Sequence, residues 1–445
     1  MRKLAWLALP VIFVFVASVA ATALAAAMTP ASALADPLWA SVYTGPAGTH
    51  DPSAGGVAVD ASGASYVAGA AYSHTSGDSP DVPWLVKYAP DGSLVWQESP
   101  SGVVANGQFA GVTALPGGDM LAWGQAGASG AGILAVRYRP DGTRLWATKV
   151  MGHVRKGSSE AYDVAVDSHG AAYVAGTIGR RAGTDAILVK LAPTGRVLWQ
   201  RTIAGDRASS NWLATVAVGR NDYVYACGDV RAQGLLVSYT PSGKKRWSAL
   251  SAKVWGSDLV AAASGAVYLC GQAGAIHHTA LLRAYSPGGR LLWGRRVSSS
   301  GQDGGFSQVR LDAGGNVICA GGLGGDTPTT FLVAKFSAHG SLIFRAAWSP
   351  ADHGVVQARG LECAADGTIF VCGTSFGPDV DRLVVVPYSA SGARGEPMVH
   401  ETALYDEHAV ASALSPSGPV VAGLLQATAS RRVDAITVQF PTPTH

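Results

Sequence analysis

The chain has 445 residues, of which 48% are apolar and 14% are charged, and its formal net charge at pH 7 is +3. Disordered chains combine low hydrophobicity with high net charge, so this composition excludes a largely disordered protein. No run of Lys or Arg stands out, which argues against a nucleic-acid partner. The length exceeds one ordinary core, so the chain forms several domains or one architecture that grows by repetition.

Residues 1–35 have the organisation of a secretory signal peptide. Arg2 and Lys3 precede an apolar stretch from 4 to 27, and Ala33 and Ala35 stand before Asp36 as an A-x-A cleavage site requires. We therefore expect a secreted or extracytoplasmic chain, 36–445. The apolar stretch is also long enough to span a bilayer, so an uncleaved membrane anchor is the alternative. No second stretch of that length follows, and we expect no membrane contact once the signal is removed.

A three-part unit recurs through the rest of the chain. Its first copy reads "VAVDASG" from 57, "YVAG" from 66 and "LVKYAPDGSLVW" from 85. The closing Trp recurs at Trp96, Trp146, Trp199, Trp247 and Trp293, at steps of 50, 53, 48 and 46 residues. A period near 50 residues that holds several short strands is typical of a β-propeller.

The local chemistry predicts four antiparallel strands, A to D, in each unit. Runs rich in Val, Ile, Leu and Tyr end at Gly, as half-buried strands do. The "DASG" and "APDG" segments suit tight turns, because Gly accepts the left-handed conformation and Pro presets the first turn position. Each unit thus predicts one blade.

Counting the units predicts eight blades and a particular closure. The last unit, ending "ITVQFPTPTH", stops before any D strand, whereas the expected mature chain opens on "PLWASVYTG", which matches D strands such as "RLWATKVMG". We expect Trp39 to lie in a leading strand that pairs with the C-terminal blade and removes the open ends of the array. The prediction is an all-β, eight-bladed propeller spanning 36–445 as one domain. A seven-bladed ring with one degenerate unit is the alternative.

The repeated Trp is best explained structurally. A Trp ring can bury about 150–250 Å², worth about 4–6 kcal/mol at most. We therefore expect the rings to pack between neighbouring blades rather than to bind a ligand. The expected set is Trp39, Trp96, Trp146, Trp199, Trp247 and Trp293.

The pattern "VDxxGxxYVAG … LVKxxPxGxxLW" resembles the SBBP-type β-propeller repeats of secreted bacterial proteins. Its closing "PxGxxLW" is also similar to the tryptophan-docking repeat of quinoprotein-type eight-bladed propellers. The resemblance covers nearly all of 38–440 and implies the fold rather than an activity. Quinone dehydrogenases of that type carry an adjacent Cys-Cys pair, which this chain lacks. We therefore predict no bound quinone and no other cofactor.

Cysteines and turn acids offer weak metal signals. Cys227, Cys270 and Cys372 occupy a slot where other units have Ala, so they are interpreted as small buried residues, with a Cys363–Cys372 disulfide as the minor alternative. Asp60, Asp167 and Asp312 lie at turns after strand A, and Asp91 and Asp141 lie at turns after strand C. Each of these turns offers one acid, too few for a calcium loop. We expect turn stabilisation and no metal site.

The predicted topology sorts the connections onto two faces. The A–B and C–D turns share one face, called here the tight-turn face. The longer B–C loops and D–A links share the other, called the variable face, where function is expected. Most histidines fall on the variable face. The candidate binding residues chosen there are His153, His277, His278, His353 and His408.

Two functions from different classes follow, and a quinone-dependent dehydrogenase is a third alternative, which the missing Cys-Cys pair disfavours. The first is a non-catalytic scaffold, expected to be monomeric, that binds a protein or glycan through the variable face. No Ser-His-Asp signature, HExxH motif or P-loop is present, which favours this hypothesis. The second is an enzyme acting on glycans, a hydrolase or lyase, in which histidines converge with acids such as Asp303, Asp352, Asp406 and Glu407.

Overall fold

A computed structural model describes residues 36–73, 82–100, 106–127, 132–152, 159–205, 209–274, 277–297, 303–324, 330–350 and 355–443. These residues form eight sheets of four antiparallel strands each. The predicted eight-bladed propeller is confirmed, and the seven-bladed alternative is wrong. No helix in these ranges has the length and apolar character needed to cross a membrane.

The strands of blades 1 to 4 follow the chain in the order A, B, C and D. They are β2 (Thr49–Val59), β3 (Ser65–Ser73), β4 (Val82–Tyr88), β5 (Leu94–Glu98), β6 (Gly107–Ala114), β7 (Met120–Ala126), β8 (Gly132–Tyr138), β9 (Arg144–Met151), β10 (Glu160–Val166), β11 (Ala172–Gly179), β12 (Thr184–Leu191), β13 (Val197–Ile203), β14 (Trp212–Val218), β15 (Val224–Val230), β16 (Gln233–Tyr239) and β17 (Lys245–Ala252).

Blades 5 to 7 repeat this order, and blade 8 takes its D strand from the start of the described chain. These strands are β18 (Val254–Ala261), β19 (Val267–Ala273), β20 (Thr279–Tyr285), β21 (Leu291–Val297), β22 (Gly304–Leu311), β23 (Val317–Leu323), β24 (Thr330–Phe336), β25 (Leu342–Trp348), β26 (Val355–Cys363), β27 (Ile369–Phe376), β28 (Arg382–Tyr388), β29 (Met398–His400), β30 (Tyr405–Ser415), β31 (Gly418–Ala427), β32 (Val433–Gln439) and β1 (Trp39–Tyr43).

The ring closes through strand pairing between the two ends of the described chain. Strand β1 pairs antiparallel with β32, from Trp39 opposite Gln439 to Tyr43 opposite Ala435. The Trp39 indole donates to the Gln439 side chain at 2.8 Å. The predicted closure is therefore present, and it leaves no blade with three strands.

The A strands are the innermost strands. Each A strand contacts the A strand of the next blade, and β30 contacts β2 to complete the circle. The B and C strands are almost wholly buried between blades, as Tyr66 and Leu85 of blade 1 packing with Phe109 of blade 2 illustrate. The rigid core is thus interblade packing around a central axis.

Each closing Trp lies against the C–D turn of the next blade. Its Nε1 donates to a turn carbonyl at 2.8 to 3.2 Å, and its ring covers the turn glycine. The donor and acceptor pairs are Trp39–Pro90, Trp96–Pro140, Trp146–Pro193, Trp199–Pro241, Trp247–Pro287 and Trp293–Ala338. Phe344 covers Gly392 in the same way without the hydrogen bond.

The turn glycine is required both for its conformation and for the space above it. Gly195 has φ +83°, and a Cβ there would lie 2.6 Å from the Trp146 ring. Gly117 has φ +95° with nothing within 4 Å of such a Cβ. We therefore predict that Gly195→Ala destabilises the fold by about 1–2 kcal/mol more than Gly117→Ala, whose cost is backbone strain alone. Urea unfolding of the two variants measures the difference, and equal midpoints would contradict the docking role of Trp146.

All five cysteines are unpaired, so the Cys363–Cys372 disulfide is absent. Cys227, Cys270 and Cys372 are fully buried in the B strands. Burial raises the pKa of the Cys227 thiol well above its usual range, which keeps it protonated. These residues are packing elements of the interblade core.

Candidate functional site

The tight-turn face is occupied by its own contacts. Lys190 of β12 pairs with Asp167 at 3.0 Å and donates to the Pro241 carbonyl of the next blade. Lys87, Arg137 and Lys335 hold the equivalent positions in other blades and pair with turn acids in the same way. The cations therefore join neighbouring blades, and the turn acids hold them in place within their own blade.

One triad on this face has the spacing of metal ligands. Ligand atoms of Asp167, His169 and Asp222 lie within 4.8 Å of one another. Lys190 already supplies a positive charge to Asp167, and Asp222 accepts hydrogen bonds from the Ser168 backbone and hydroxyl groups. The His169 ring nitrogen lies 3.1 Å from Asp222. With its oxygen atoms thus engaged, the triad is an interblade clamp.

Every A strand contains a β-bulge at the same position. The register against strand B skips one residue, for example between Ala161 and Asp163 in β10. The skipped residues are Gly55, Ala110, Tyr162, Ala214, Ser257, Ser307, Arg359 and Val410. Ser257, Ser307 and Arg359 are exposed although they lie in the middle of an innermost strand. Such residues can meet solvent only along the axis, so the bulges line an axial channel.

Two positions before each bulge, towards the variable face, lies a set of residues that we call the mouth ring. Every strand B contains a Gly at the same place in the unit, and each member of the ring pairs with the residue that follows this Gly, as Gln108 pairs with Gln125. The mouth ring consists of Ser53, Gln108, Glu160, Trp212, Trp255, Gly305, Gln357 and His408. Apart from the largely buried Glu160, all are partly accessible.

Side chains of the mouth ring contact each other and neighbouring residues of strand B. Gln108 Nε2 lies 2.9 Å from the Gln125 amide oxygen and 3.4 Å from Glu160. Burial raises the pKa of Glu160, which the hydrogen bond from Tyr162 opposes. The ring therefore offers amides, one carboxyl group, an imidazole and two indoles around one opening.

Below the bulges, towards the tight-turn face, lies a second set that we call the charged layer: Asp163, Asp258, Arg310 and Glu362. Asp163 accepts from the Thr215 hydroxyl at 2.7 Å and from the Val216 amide, so it joins blades 3 and 4. Burial raises the pKa of Asp163 to about 6, although these hydrogen bonds favour its ionised form. Glu362 accepts from Ser412 at 2.8 Å, joining blades 7 and 8.

Arg310 is the cation of the charged layer. Its Nη1 lies 2.9 Å from Asp258, which also accepts the Val309 amide of the same strand. Burial disfavours the cation, but Asp258 and then Glu362 raise the pKa of Arg310 overall. Burial likewise raises the pKa of Glu362, against the attraction of Arg310. The layer is a charge network that fastens A strands together around the axis.

The histidines chosen from the sequence are placed in different ways. His153 and His353 lie outside the described residues. His277 is 86% exposed and pairs with Asp303 at 3.2 Å. The His278 ring lies 5.5 Å from that of Trp255, at the edge of the mouth ring. His408 belongs to the mouth ring and lies 3.5 Å from Asp381.

The acids considered for catalysis do not meet in one group among the described residues. Asp303 contacts His277, and Asp406 accepts the Asp381 backbone amide at 3.1 Å. Glu407 is fully buried and lies 2.9 Å from His400, a contact that joins blades 7 and 8. Asp352 lies outside the described ranges. Among the described residues, Asp303, Asp406 and Glu407 therefore make separate contacts, with His277, Asp381 and His400 respectively.

No protein-family model matches this chain, and no curated protein matches it either. Solved structures do match. The C-terminal WD40 domain of Sif2 shows 10% identity and a TM-score of 0.59 over 89% of this chain and 97% of that one. Sqt1 from Chaetomium thermophilum shows 10% identity and a TM-score of 0.59 over 92% and 99%. The Dos1 propeller shows 10% identity and a TM-score of 0.55 over 91% and 95%. At these identities the likeness concerns the propeller fold alone.

Proposed function

We propose that this chain is an extracytoplasmic, non-catalytic binding module whose ligand, a glycan, sits in the mouth ring on the variable face. The observation that carries the proposal is the composition of that ring. Two indoles and two amides lie around one accessible opening, held by a closed ring of strands. Indole faces stack on the C–H surfaces of sugars, and amides exchange hydrogen bonds with hydroxyl groups. Rigid placement of such groups limits the entropy lost on binding.

The opposite face supports the same placement. Its turn acids and C-strand cations are paired with each other and with neighbouring carbonyl groups. A ligand there would have to displace contacts that join the blades, which is unfavourable. The mouth ring is therefore the better site for a ligand that leaves the fold intact.

A glycan array probed with residues 36–445, followed by titration calorimetry on the strongest oligosaccharide, tests the proposal. Trp255→Ala and Trp212→Ala are expected to weaken binding by about tenfold or more each, since a stacked, desolvated ring contributes over 1 kcal/mol. Lys244→Ala, an exposed residue of a C–D turn, is the matched control and should bind like the parent chain. An array without hits, or hits that both Trp variants retain, would overturn the proposal.

The extracytoplasmic location rests on the N-terminal sequence. An apolar stretch from 4 to 27 followed by Ala33 and Ala35 supports export and cleavage before Asp36. Intact-mass measurement of the exported protein is expected to give a chain that begins at Asp36. A full-length chain retained with membranes would instead establish the anchored form.

A further inference from the structure

Arg359 is the charged residue among those that line the axial channel at the level of the bulges. It is the bulged residue of β26, and of the eight bulged residues it alone is charged. Its backbone is fixed, because the Gln308 side chain donates to the Arg359 carbonyl at 2.8 Å. The side chain is exposed. On one side along the ring lie Ser307 and then Ser257, both small and exposed, and on the other side lies the partly buried Val410. The guanidinium therefore has accessible space around it within the channel.

The Arg359 guanidinium lacks an anionic partner among the residues that the structure describes. It has five N–H donors, and its hydrogen bond goes to Gln357 Oε1 at 2.9 Å. Burial lowers the pKa of Arg359, and no carboxylate offsets that effect. Arg310 differs, because Asp258 lies 2.9 Å from it. An accessible guanidinium that is crowded by protein but not neutralised is suited to receive an anion from a ligand.

The surroundings favour one kind of anion. The Gln357 amide accepts from Arg359 through its oxygen, so its NH₂ group remains a donor beside the guanidinium. Two adjacent planar donor groups match the planar, bidentate carboxylate. The charged layer beneath contains three carboxyl groups and one guanidinium, so it disfavours a dianion such as a phosphate monoester more than a single negative charge.

We propose that Arg359 and Gln357 form a carboxylate subsite at the entrance of the axial channel, and that the glycan bound by the mouth ring carries uronic-acid residues. The inference rests on the function proposed above and adds the chemical class of the ligand. The sugar ring would lie at the level of the mouth ring, and its carboxylate would reach the bulge level below. No covalent step is involved.

Calorimetric titration with penta-galacturonate tests the subsite. The parent chain is expected to bind it, and Arg359→Gln to weaken binding by about 10–100-fold, because a charge-assisted bidentate contact is lost. Arg359→Lys should recover part of that loss, since it keeps the charge without the planar fork. The matched control is Arg296→Ala, an exposed arginine of β21, which should not change binding. The penta-galacturonate methyl ester, which is uncharged, should bind the parent chain as weakly as penta-galacturonate binds Arg359→Gln.

The outcomes separate this inference from the proposed function. The carboxylate subsite is wrong if the parent chain binds the methyl ester as tightly as it binds penta-galacturonate, or if Arg359→Gln binds penta-galacturonate as tightly as the parent chain does. Loss of binding in Trp255→Ala would in that case still support a ligand in the mouth ring. If penta-glutamate binds with the same dependence on Arg359 and penta-galacturonate does not, the glycan class is wrong. If neither probe binds but Trp255→Ala abolishes binding of a neutral array glycan, the uronate inference is overturned alone.

Discussion

Deleting residues 36–44 is expected to lower the free energy of unfolding by about 5–10 kcal/mol, the largest effect anticipated for this protein. The deletion removes the whole of β1 and exposes the edge of β32. It also removes Trp39, which covers Gly92 of blade 1, and the buried Tyr43. Each aromatic ring contributes about 4–6 kcal/mol at most through buried area. Guanidinium unfolding followed by tryptophan fluorescence measures the loss.

A circular permutant provides the control for this deletion. Joining Thr442 to Leu38 through Asp-Gly-Ser, with a new start at Pro46, restores β1 behind β32 as an ordinary hairpin. We expect stability equal to or above that of the parent, because the closing strand is then covalently attached and its pairing costs less chain entropy. A deletion variant as stable as the parent, or a permutant as weak as the deletion, would contradict closure by β1.

The closure also explains why blade 7 has no aromatic residue at the position of the closing Trp. The Trp of each blade rests on the C–D turn of the next, and blade 8 has no such turn, because its C and D strands come from opposite ends of the described chain. Blade 7 therefore has nothing for a Trp to cover. In blade 7 Arg394 pairs with Tyr388, as Leu94 pairs with Tyr88 in blade 1. Two residues further on, blade 7 has Glu396 where blade 1 has Trp96. The absence of Trp from blade 7 follows from the assembly of blade 8, whose C and D strands are not joined by a turn.

The fold was predictable because its determinants are local and repeated. Turn signatures such as "APDG" mark the blades in the sequence, and a Trp at nearly constant spacing marks six of the eight. The orphan strand around Trp39 then follows from counting strands. These features depend on short-range geometry that the residue types themselves reveal.

The candidate site was harder to predict because it depends on the A-strand bulges. A bulge shifts the register by one residue and turns the following side chains, and no residue type marks it here. The bulged position holds Tyr162, Ser257 and Arg359 in different blades. His408 was selected as a loop residue, but it lies within β30. Aligning the A strands backwards from the "VAV" run would have placed Trp212, Trp255 and Gln357 in one column.

The second large effect is expected from Arg310→Ala, which should destabilise the fold at pH 8 by about 3 kcal/mol. The substitution leaves Asp258 and Glu362 without their shared cation in the charged layer. Removing one partner of a buried pair is costly because the remaining charge is desolvated and uncompensated, and partial exposure of Arg310 places this case at the low end. Arg296→Ala, which removes an exposed arginine, should change stability by less than about 0.5 kcal/mol.

The loss in Arg310→Ala should shrink as the pH falls. Burial already raises the pKa of Glu362 and brings that of Asp163 to about 6, and removing the cation raises both further in the folded state. A carboxyl group whose pKa is higher in the folded than in the unfolded state binds more protons when folded, so unfolding free energy falls as the pH rises through this window. Between pH 4 and pH 7 the variant should therefore lose stability relative to the parent, with a slope of at most about 1.4 kcal/mol per pH unit for each such group.

Adding Glu362→Gln to Arg310→Ala removes one of these groups and should reduce both the loss at pH 8 and its pH dependence. Urea unfolding of the three proteins at pH 5 and pH 8 measures these differences, and a loss that is independent of pH would show that Arg310 stabilises the channel through packing rather than through charge.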